Sequence, residues 1–338
     1  VFGQISSGGT PFTWIGEKSN IEIPSVVMHS IDIGSLKTED EIDQQSKDMP
    51  FRFAYGFNVG LTTANSGKWI VLENGDRLWM LEIESPGAMS LNITFSHFYI
   101  PDGSRLFIYS PDKHYKAGAF TSFNNKNHHH LGTVPIPGDK IILEYYEPAS
   151  VAFAGVLEIE TVAHAYRDIF TIAKDFEKGY GDADDCNNDV VCPEAAAWEK
   201  QVRSVALITL GNGTRFCTGS LLNNVTNDGT PLFLTANHCT EGQTVSTMVF
   251  IFNYQSDICD PDGQGNDGSF DNSISGATIL AHTNSPLPGN STDPMDSDMA
   301  LLLLSESPPD DYNVFYNGWD NSGDIPSNTT CMHHPKGD

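Results

Sequence analysis

The residue best suited to chemistry in this sequence is His238, which directly precedes Cys239 and follows a short apolar run at residues 231–234. An imidazole titrates near neutral pH, so a histidine held in one orientation can act as a general base. Cys217 lies upstream in the chain, and its spacing from Cys239 allows a disulfide that would fix the loop carrying the histidine. Taken alone, His238 is better interpreted as a histidine beside a purely structural cysteine, and a second partner is needed to favour the base.

A candidate partner for this base lies further along the chain. Asp298 immediately precedes the apolar run at residues 299–304. Burying a carboxylate at the mouth of such a strand is costly unless it accepts hydrogen bonds, and an imidazole N–H is a suitable donor. We therefore predict that Asp298 orients His238. Asp298 could equally cap a turn, and Asp293 and Asp296 are nearby competitors farther from the apolar run.

The first half of the chain is predicted to consist of strands throughout. Segments rich in β-branched and aromatic residues alternate with turn sequences such as Asn74-Gly75-Asp76. The predicted strands are 51–59, 67–72, 77–83, 90–99, 105–109, 140–146 and 151–159. Apolar and polar residues alternate over 91–96, which predicts sheets with one face in water. The pattern indicates an all-β fold with an antiparallel β-sandwich at residues 1–165.

The cysteines divide the chain, because all six lie after residue 185. We therefore predict a first domain at 1–165, a linker at 166–185 and a second domain at 186–338. An even cysteine set without C-x-x-C pairs favours disulfides and an oxidising compartment over a zinc site. Glycosylation sequons begin at Asn92, Asn212, Asn224, Asn290 and Asn328. These features predict a secreted protein, and since residues 1–10 lack a basic n-region, we expect any signal peptide to have been removed or left out of this sequence.

Composition excludes two classes of partner. The formal net charge of -26 argues against binding to a phosphate backbone, which requires clustered Lys and Arg, so no nucleic-acid partner is predicted. No apolar run approaches the roughly 20 residues needed to span a membrane.

We predict no cofactor and no metal site. The His128-His129-His130 run is interpreted as a solvated loop, with adventitious metal binding as the alternative, and residues 260–271 as a polar loop that lacks the last ligand of a calcium loop.

Five motifs in the second half occur in one order. They are Cys217-Thr-Gly-Ser-Leu-Leu, Thr235-Ala-Asn-His-Cys239, Ser297-Asp-Met-Ala-Leu-Leu, Asn317-Gly-Trp-Asp320 and His333-His-Pro335. With them, residues 181–338 resemble the bacterial lysyl endopeptidases of the trypsin-like superfamily, and the first half is similar to the pro-regions found ahead of such enzymes. The resemblance implies a β-sandwich pro-domain followed by a chymotrypsin-like β-barrel protease domain.

The same resemblance implies roles for individual residues. His238 would be the general base and Asp298 its orienter, in the family's chain order of His, Asp and Ser. The implied neighbours of the active site and the implied disulfides are Trp319, His334, Cys217–Cys239 and Cys192–Cys259. Cys186 and Cys331 would pair with each other or with cysteines beyond residue 338.

The nucleophile is the departure from the family pattern. The family's serine lies in a Gly-x-Ser-Gly turn after the His-His-Pro motif, and no such turn is found here. We expect the parent protein to be a secreted serine endopeptidase zymogen acting on protein or peptide substrates, with lysine preference implied by the resemblance alone. We expect this chain, which lacks the serine, to be inactive.

Activation and two alternative functions complete the interpretation. Cleavage after Lys178 would release a pro-domain that packs on its own protease domain. One alternative is an inactive homologue that acts as a secreted binding module. The other is a latent complex in which the first domain occupies the protease cleft.

Overall fold

The computed structural model describes residues 6–15, 21–45, 49–170, 187–259, 268–283 and 297–337. Strands dominate these ranges, and the predicted all-β fold is confirmed. Two short helices are present in them, α1 (Ile33–Asp43) and α2 (Glu199–Val202). Within the described ranges, no helix has the length and apolar character needed to cross a membrane.

The strands follow the chain in order. In the first half they are β1 (Ser25–Val27), β2 (Phe51–Arg52), β3 (Ala54–Thr62), β4 (Lys68–Val71), β5 (Arg77–Glu84), β6 (Ser90–Tyr99), β7 (Arg105–Tyr109), β8 (Lys116–Phe120), β9 (Leu131–Gly132), β10 (Ile136–Pro137), β11 (Lys140–Glu147) and β12 (Val156–Ala165). In the second half they are β13 (Val205–Thr209), β14 (Arg215–Leu222), β15 (Leu232–Ala236), β16 (Val249–Phe252), β17 (Ser273–Ser275), β18 (Ala277–His282) and β19 (Met299–Leu304).

Short 3-10 helices connect several of these strands. They are Phe12–Trp14, Ser122–Asn124, Pro193–Trp198, Asn237–Cys239, Val245–Thr247, Asp310–Tyr312 and Pro335–Gly337.

Two sheets formed by the first half pack face to face. The outer sheet has the order β1-β5-β11-β7-β8 with β4 also on β5, and the inner sheet has the order β10-β6-β12-β3 with β9 also on β6. Trp79 and Leu143 of the outer sheet share one buried core with Ile93 and Leu157 of the inner sheet. Alternation with period two places these side chains on the facing surfaces. The β1–β5 pair is parallel, whereas the other strand pairs described in these sheets are antiparallel.

The prediction that the first half consists of strands throughout is wrong, because α1 lies between β1 and β2. The carboxylate of Asp32 accepts the backbone N–H of Ser35 at 3.1 Å and so caps the first turn of α1. The prediction also missed β1, β8, β9 and β10, and it joined β2 and β3 into one strand. It began the last strand at residue 151, ahead of the observed start at Val156. Capping signals are short, so a search for strand periodicity does not detect them.

The predicted water-exposed face of the inner sheet is also wrong. Asn92 and Thr94 of β6 are buried, because residues of the second half cover this face. The Asn92 side-chain amide donates to the backbone oxygen of Gly213 at 3.2 Å. Since Asn92 is only 2% exposed, its sequon is not accessible for glycosylation in the folded chain.

A third sheet forms from the second half and curls on itself. Its order is β17-β16-β13-β14-β15-β19-β18, and β2 of the first half adds to β14. β17 and β18 stand at opposite ends of this order, yet Gly276 alone separates them in the chain. The sheet therefore curls round until its two ends meet, and it encloses a core that includes Leu221, Phe233, Phe250 and Leu302.

The predicted domain limits of 1–165, 166–185 and 186–338 stay a prediction. β12 ends at Ala165, the predicted end of the first domain. Residues 171–186, most of the predicted linker, lie outside the described residues.

Candidate active site

The pairing of β15 with β19 brings His238 to Asp298. The two strands are antiparallel, with Ala236 at the end of β15 opposite Met299 at the start of β19. The residues that follow β15 therefore meet the residue that precedes β19. The backbone N–H of Asn237 donates to the backbone oxygen of Asp298 at 3.0 Å. The register of this strand pair thus brings together His238 and Asp298, which are 60 residues apart in the sequence.

Asp298 holds His238 at two points. Its Oδ1 accepts the backbone N–H of His238 at 2.9 Å, and its Oδ2 lies 2.6 Å from Nδ1 of the imidazole. Both side chains are partly buried, at 23% exposed for His238 and 14% for Asp298. Because a carboxylate is an acceptor, Nδ1 carries the proton of this bond. Nε2 is then the basic nitrogen of the neutral ring.

The backbone of Asp298 is unusual for a residue other than glycine, with φ of 44° in the left-handed region. Aspartate tolerates this region better than most residues, at a cost on the order of 1 kcal/mol. Asp298 forms three hydrogen bonds to the turn Asn237–Cys239: one through its backbone oxygen and two through its carboxylate. We infer that these bonds offset the strain.

A disulfide secures the turn that carries the histidine, and a second one lies elsewhere in this half of the chain. Cys217 of β14 is bonded to Cys239, with the two Cα atoms 6.2 Å apart, and Cys192 is bonded to Cys259. Both bridges implied by the family resemblance are thus present. Cys331 is an exposed free cysteine.

The sulfur atoms beside His238 do not form a metal centre. Ligand atoms of Cys217, His238 and Cys239 all lie within 4.8 Å of one another. A cysteine binds a metal as a thiolate, and these two sulfurs are joined in a disulfide. The cluster is better described as a candidate base beside the Cys217–Cys239 disulfide.

His334 is bound to β14 close to the disulfide. Its backbone N–H donates to Oγ1 of Thr218 at 3.0 Å, its Nδ1 lies 3.2 Å from the same oxygen, and its Nε2 lies 3.1 Å from the backbone oxygen of Tyr254. Burial lowers the pKa of His334 to about 4, so the ring is neutral at pH 7. Thr218 follows Cys217, so His334 contacts β14 next to the Cys217–Cys239 disulfide. Its predicted role as an active-site neighbour stays a prediction.

Trp319 makes its described contact at the far end of β15 from the histidine. Trp319 is 53% exposed, and its indole N–H donates to the backbone oxygen of Asn223 at 3.0 Å. Asn223 follows Leu222, which pairs with Leu232 at the start of β15. His238 follows the other end of that strand, which is about 13 Å long. The predicted role of Trp319 near the active site stays a prediction.

The interpretation of residues 128–130 as a solvated loop is wrong. His128 Nε2 lies 3.2 Å from the hydroxyl of Ser305, and His130 Nδ1 lies 2.6 Å from that of Ser246. This segment of the first half therefore packs on the curled sheet. Burial is the main cause that lowers the pKa of both histidines. A polar local sequence cannot reveal such a long-range contact.

Other predicted residues cannot be placed. Lys178, Cys186, Asp293 and Asp296 lie outside the described residues, as do residues 260–267 of the loop compared with a calcium site.

One contact near the histidine was not predicted from the sequence. β2 of the first half pairs with β14 at Arg215 and Phe216, next to the bridged Cys217. A strand of two residues has no periodicity of its own, so the sequence offered no signal that it would leave the first half's sheets.

The region that contains this site is similar to known proteins. Residues 180–338 match the family model of the lysyl endopeptidase C-terminal domain. This region of the chain is lysyl endopeptidase-like. A curated relative, the lysyl endopeptidase of Pseudomonas aeruginosa, is 29% identical over 214 residues. The match covers 60% of this chain and 43% of the relative, so the chain spans less than half of the relative's length. The lysyl endopeptidase-like region contains His238, Asp298 and both disulfides.

Proposed function

We propose that this chain is part of a secreted serine endopeptidase in which His238 is the general base and Asp298 orients it. The observation that carries the proposal is the two-point hold of Asp298 on His238. The bond to Nδ1 keeps Nε2 available to accept a proton from a hydroxyl. The adjacent carboxylate stabilises the imidazolium that then forms.

The proposed reaction is acyl transfer to a serine followed by hydrolysis. The serine oxygen attacks the peptide carbonyl carbon while Nε2 of His238 takes the hydroxyl proton, and the imidazolium then gives this proton to the leaving amine. Water releases the acyl group by the same route. We place the serine in a part of the protein outside residues 1–338 and expect the chain without it to be inactive. The relative's name supports cleavage after lysine.

The segment 1–165 is proposed to be the pro-region of a zymogen that packs on its own protease part. Support comes from the buried bond between Asn92 and Gly213, and from the pairing of β2 with β14. Two disulfides support an extracellular location, because such bonds persist in oxidising compartments.

The test uses the protein expressed from its complete coding sequence. After activation, a fluorophosphonate probe is expected to label a serine in the wild type and in the control His282→Ala, whose histidine is exposed on β18. Labelling should fall by at least a hundredfold in His238→Ala. Peptide substrates that differ only at the residue before the cleaved bond should show a preference for lysine. An unlabelled wild type, or equal labelling of both histidine variants, would refute the assigned chemistry.

A further inference from the structure

The outer sheet of the first half has a second apolar face, directed away from the inner sheet. Side chains alternate along a strand, so Trp79 and Leu143 lie in the core between the sheets while their neighbours lie on this outer face. Its buried residues are Leu78, Met80, Phe107, Tyr109, Ala119 and Ile142. Residues 6–15, which we call the strap, lie across it, and Phe12 and Trp14 pack on the buried residues.

A buried carboxylate lies within this apolar face. Glu144 of β11 is paired with Met80 of β5 on one side and with Phe107 of β7 on the other, and partners across strands project from the same face. Glu144 is only 1% exposed. Among the residues that the structure describes, no Lys or Arg forms an ion pair with it. Such a carboxylate is costly to bury unless it accepts hydrogen bonds.

The strap supplies most of the hydrogen bonds that Glu144 accepts. Oε1 accepts the backbone N–H of Phe12, and Oε2 accepts the backbone N–H of Thr13 at 3.3 Å and its hydroxyl at 2.5 Å. The sheet itself supplies the hydroxyl of Tyr109, which lies 3.1 Å from Oε2. Burial, together with the charge of Glu144, raises the pKa of Tyr109, so this hydroxyl stays protonated. Without the strap, Tyr109 is the one donor of this set that remains.

The beginning of the strap adds to the edge of the sheet at β8. The backbone N–H of Ser7 donates to the backbone oxygen of Ala119 at 2.8 Å, and the N–H of Ala119 donates to the oxygen of Gly8 at 3.0 Å. Gly8 and Gly9 have φ of 67° and 92°, which glycine adopts readily. The chain can therefore turn there from the edge onto the face. Main-chain bonds of this kind are a common mode of peptide recognition.

Aromatic contacts flank the carboxylate on both sides. The ring of Trp14 meets Tyr109 edge-on, with centroids 5.3 Å apart and an interplanar angle of 75°. The ring of Phe12 stacks on Tyr146 with centroids 6.4 Å apart. Because Thr13 lies between the two anchors, the face has an aromatic seat before and after the position that bonds to Glu144.

We propose that this outer face is a binding site for an extended peptide, centred on the carboxylate of Glu144, and that the strap is its ligand within the chain. The site takes a peptide that brings two consecutive backbone N–H groups and a Ser or Thr hydroxyl to Glu144, with an aromatic residue on each side of the hydroxyl. When the strap is absent, the strap of a second copy binds in its place. The site lies in the first half and is independent of the proposed chemistry of His238.

The test removes the strap and supplies it again as a separate peptide. A chain that lacks residues 1–15 is titrated into a fluorescein-labelled peptide that copies residues 6–15, and binding is followed by fluorescence polarisation. A second peptide carries valine in place of Thr13, which keeps the shape of the side chain but removes its hydroxyl. The site is altered by Glu144→Gln in the truncated chain. The matched control is Glu73→Gln, which removes the same charge from an exposed turn.

The truncated chain is expected to bind the copying peptide in a one-to-one ratio. The full chain should not bind it, because its own strap competes at an effective concentration on the order of millimolar. The valine peptide should bind about tenfold or more weakly, since it loses one hydrogen bond to a charged acceptor. Glu144→Gln should weaken binding by a similar factor, and Glu73→Gln should leave it unchanged.

The full chain provides a measurement that does not require the truncated chain to fold. In the full chain, Glu144→Gln should raise the hydrogen exchange of the Phe12 and Thr13 amides by about tenfold or more, because both amides donate to the carboxylate. Glu73→Gln should leave this exchange at the wild-type rate.

Three results would overturn the proposal. The first is a truncated chain that keeps native circular dichroism and both disulfides but binds neither peptide. The second is equal binding of the two peptides, or an effect of Glu144→Gln no larger than that of Glu73→Gln. The third, which decides the matter if the truncated chain does not fold, is wild-type exchange of the Phe12 and Thr13 amides in the full-length Glu144→Gln variant. These measurements need no nucleophile, so failure here is distinguishable from failure of the proposed chemistry.

Discussion

Acidification is expected to weaken the packing of residues 126–132 on the curled sheet, chiefly through His128. The ring of His128 is half-buried, and its Nε2 lies 3.2 Å from the hydroxyl of Ser305. Burial is the first cause that lowers the pKa of His128 from 6.5 to about 4, so the folded chain contains its neutral form at pH 7.

The groups around His128 disfavour its protonated form. The ring of His130 lies 5.6 Å away, and repulsion from His130, Lys126 and His129 adds to the effect of burial. Glu306 is the neighbouring acid, but it already pairs with Lys126 at 3.0 Å. Burial raises the pKa of Glu306, so its protonation favours the folded state and partly opposes the effect of the histidine.

The magnitude follows from the difference between the folded and unfolded pKa values. The folded pKa of His128 is depressed, so its contribution to stability is fully present above pH 6.5 and is lost as the pH falls toward 4. At about 1.36 kcal/mol per pKa unit, the loss is about 2 kcal/mol by pH 5. Solvent screening of a half-buried ring reduces this to about 1–2 kcal/mol in the free energy of unfolding.

The assay is urea denaturation at pH 7.5 and pH 5.0. The variant His128→Gln keeps a polar side chain beside Ser305 but cannot titrate, and the control His114→Gln replaces a histidine that is 76% exposed. Between pH 7.5 and pH 5.0, the free energy of unfolding of the wild type and of the control should each fall by about 1–2 kcal/mol more than that of His128→Gln. The protection factors of residues 126–132, which correct for the slower intrinsic exchange at acid pH, should fall at pH 5.0 in the wild type more than in His128→Gln. Equal losses in all three proteins would refute the reasoning.

Three further predictions concern the candidate site. In the complete, activated protein, Asp298→Ala should lower kcat on a lysyl peptide substrate by a factor of about 10⁴, because His238 loses its orienting carboxylate. A loss below tenfold would contradict the assignment. Replacing Cys217 and Cys239 with alanine should lower the free energy of unfolding, measured by urea denaturation, by about 3 kcal/mol, since the bridge spans 22 residues. Unchanged stability would show that this disulfide does not stabilise the fold. Gly219→Ala should cost about 1–3 kcal/mol in the same assay, because the new Cβ would lie 2.5 Å from a backbone oxygen of β15, and a neutral result would show that the strands can separate there.

Local patterns in the sequence predicted much of the strand structure. The predicted strands 90–99 and 105–109 agree with β6 and β7, because β-branched and aromatic residues bounded by turn residues report extended backbone directly. The second half's motifs indicated the family and both disulfides. They also singled out His238 and Asp298, each next to an apolar run that became a strand of one sheet.

Contacts between sheets could not be predicted in the same way. Nothing near Asn92 in the sequence shows that Gly213 will accept its hydrogen bond, and the polar run at 128–130 gives no sign that it will pack against Ser305. Such contacts join residues that are far apart in the chain, and packing of one folded surface on another determines them. Local composition describes only the segment in which it occurs.

The sequence by itself therefore determined which residues could do chemistry, the all-β class and the resemblance of the second half to lysyl endopeptidases. Only the tertiary structure decided how the histidine is held, because the β15–β19 register and the left-handed backbone of Asp298 together allow the carboxylate to reach both Nδ1 and the backbone N–H of His238. It also decided that β2 of the first half lies on the edge of β14 beside that histidine. Strand propensity is a local property, whereas strand partners depend on the packing of the whole chain.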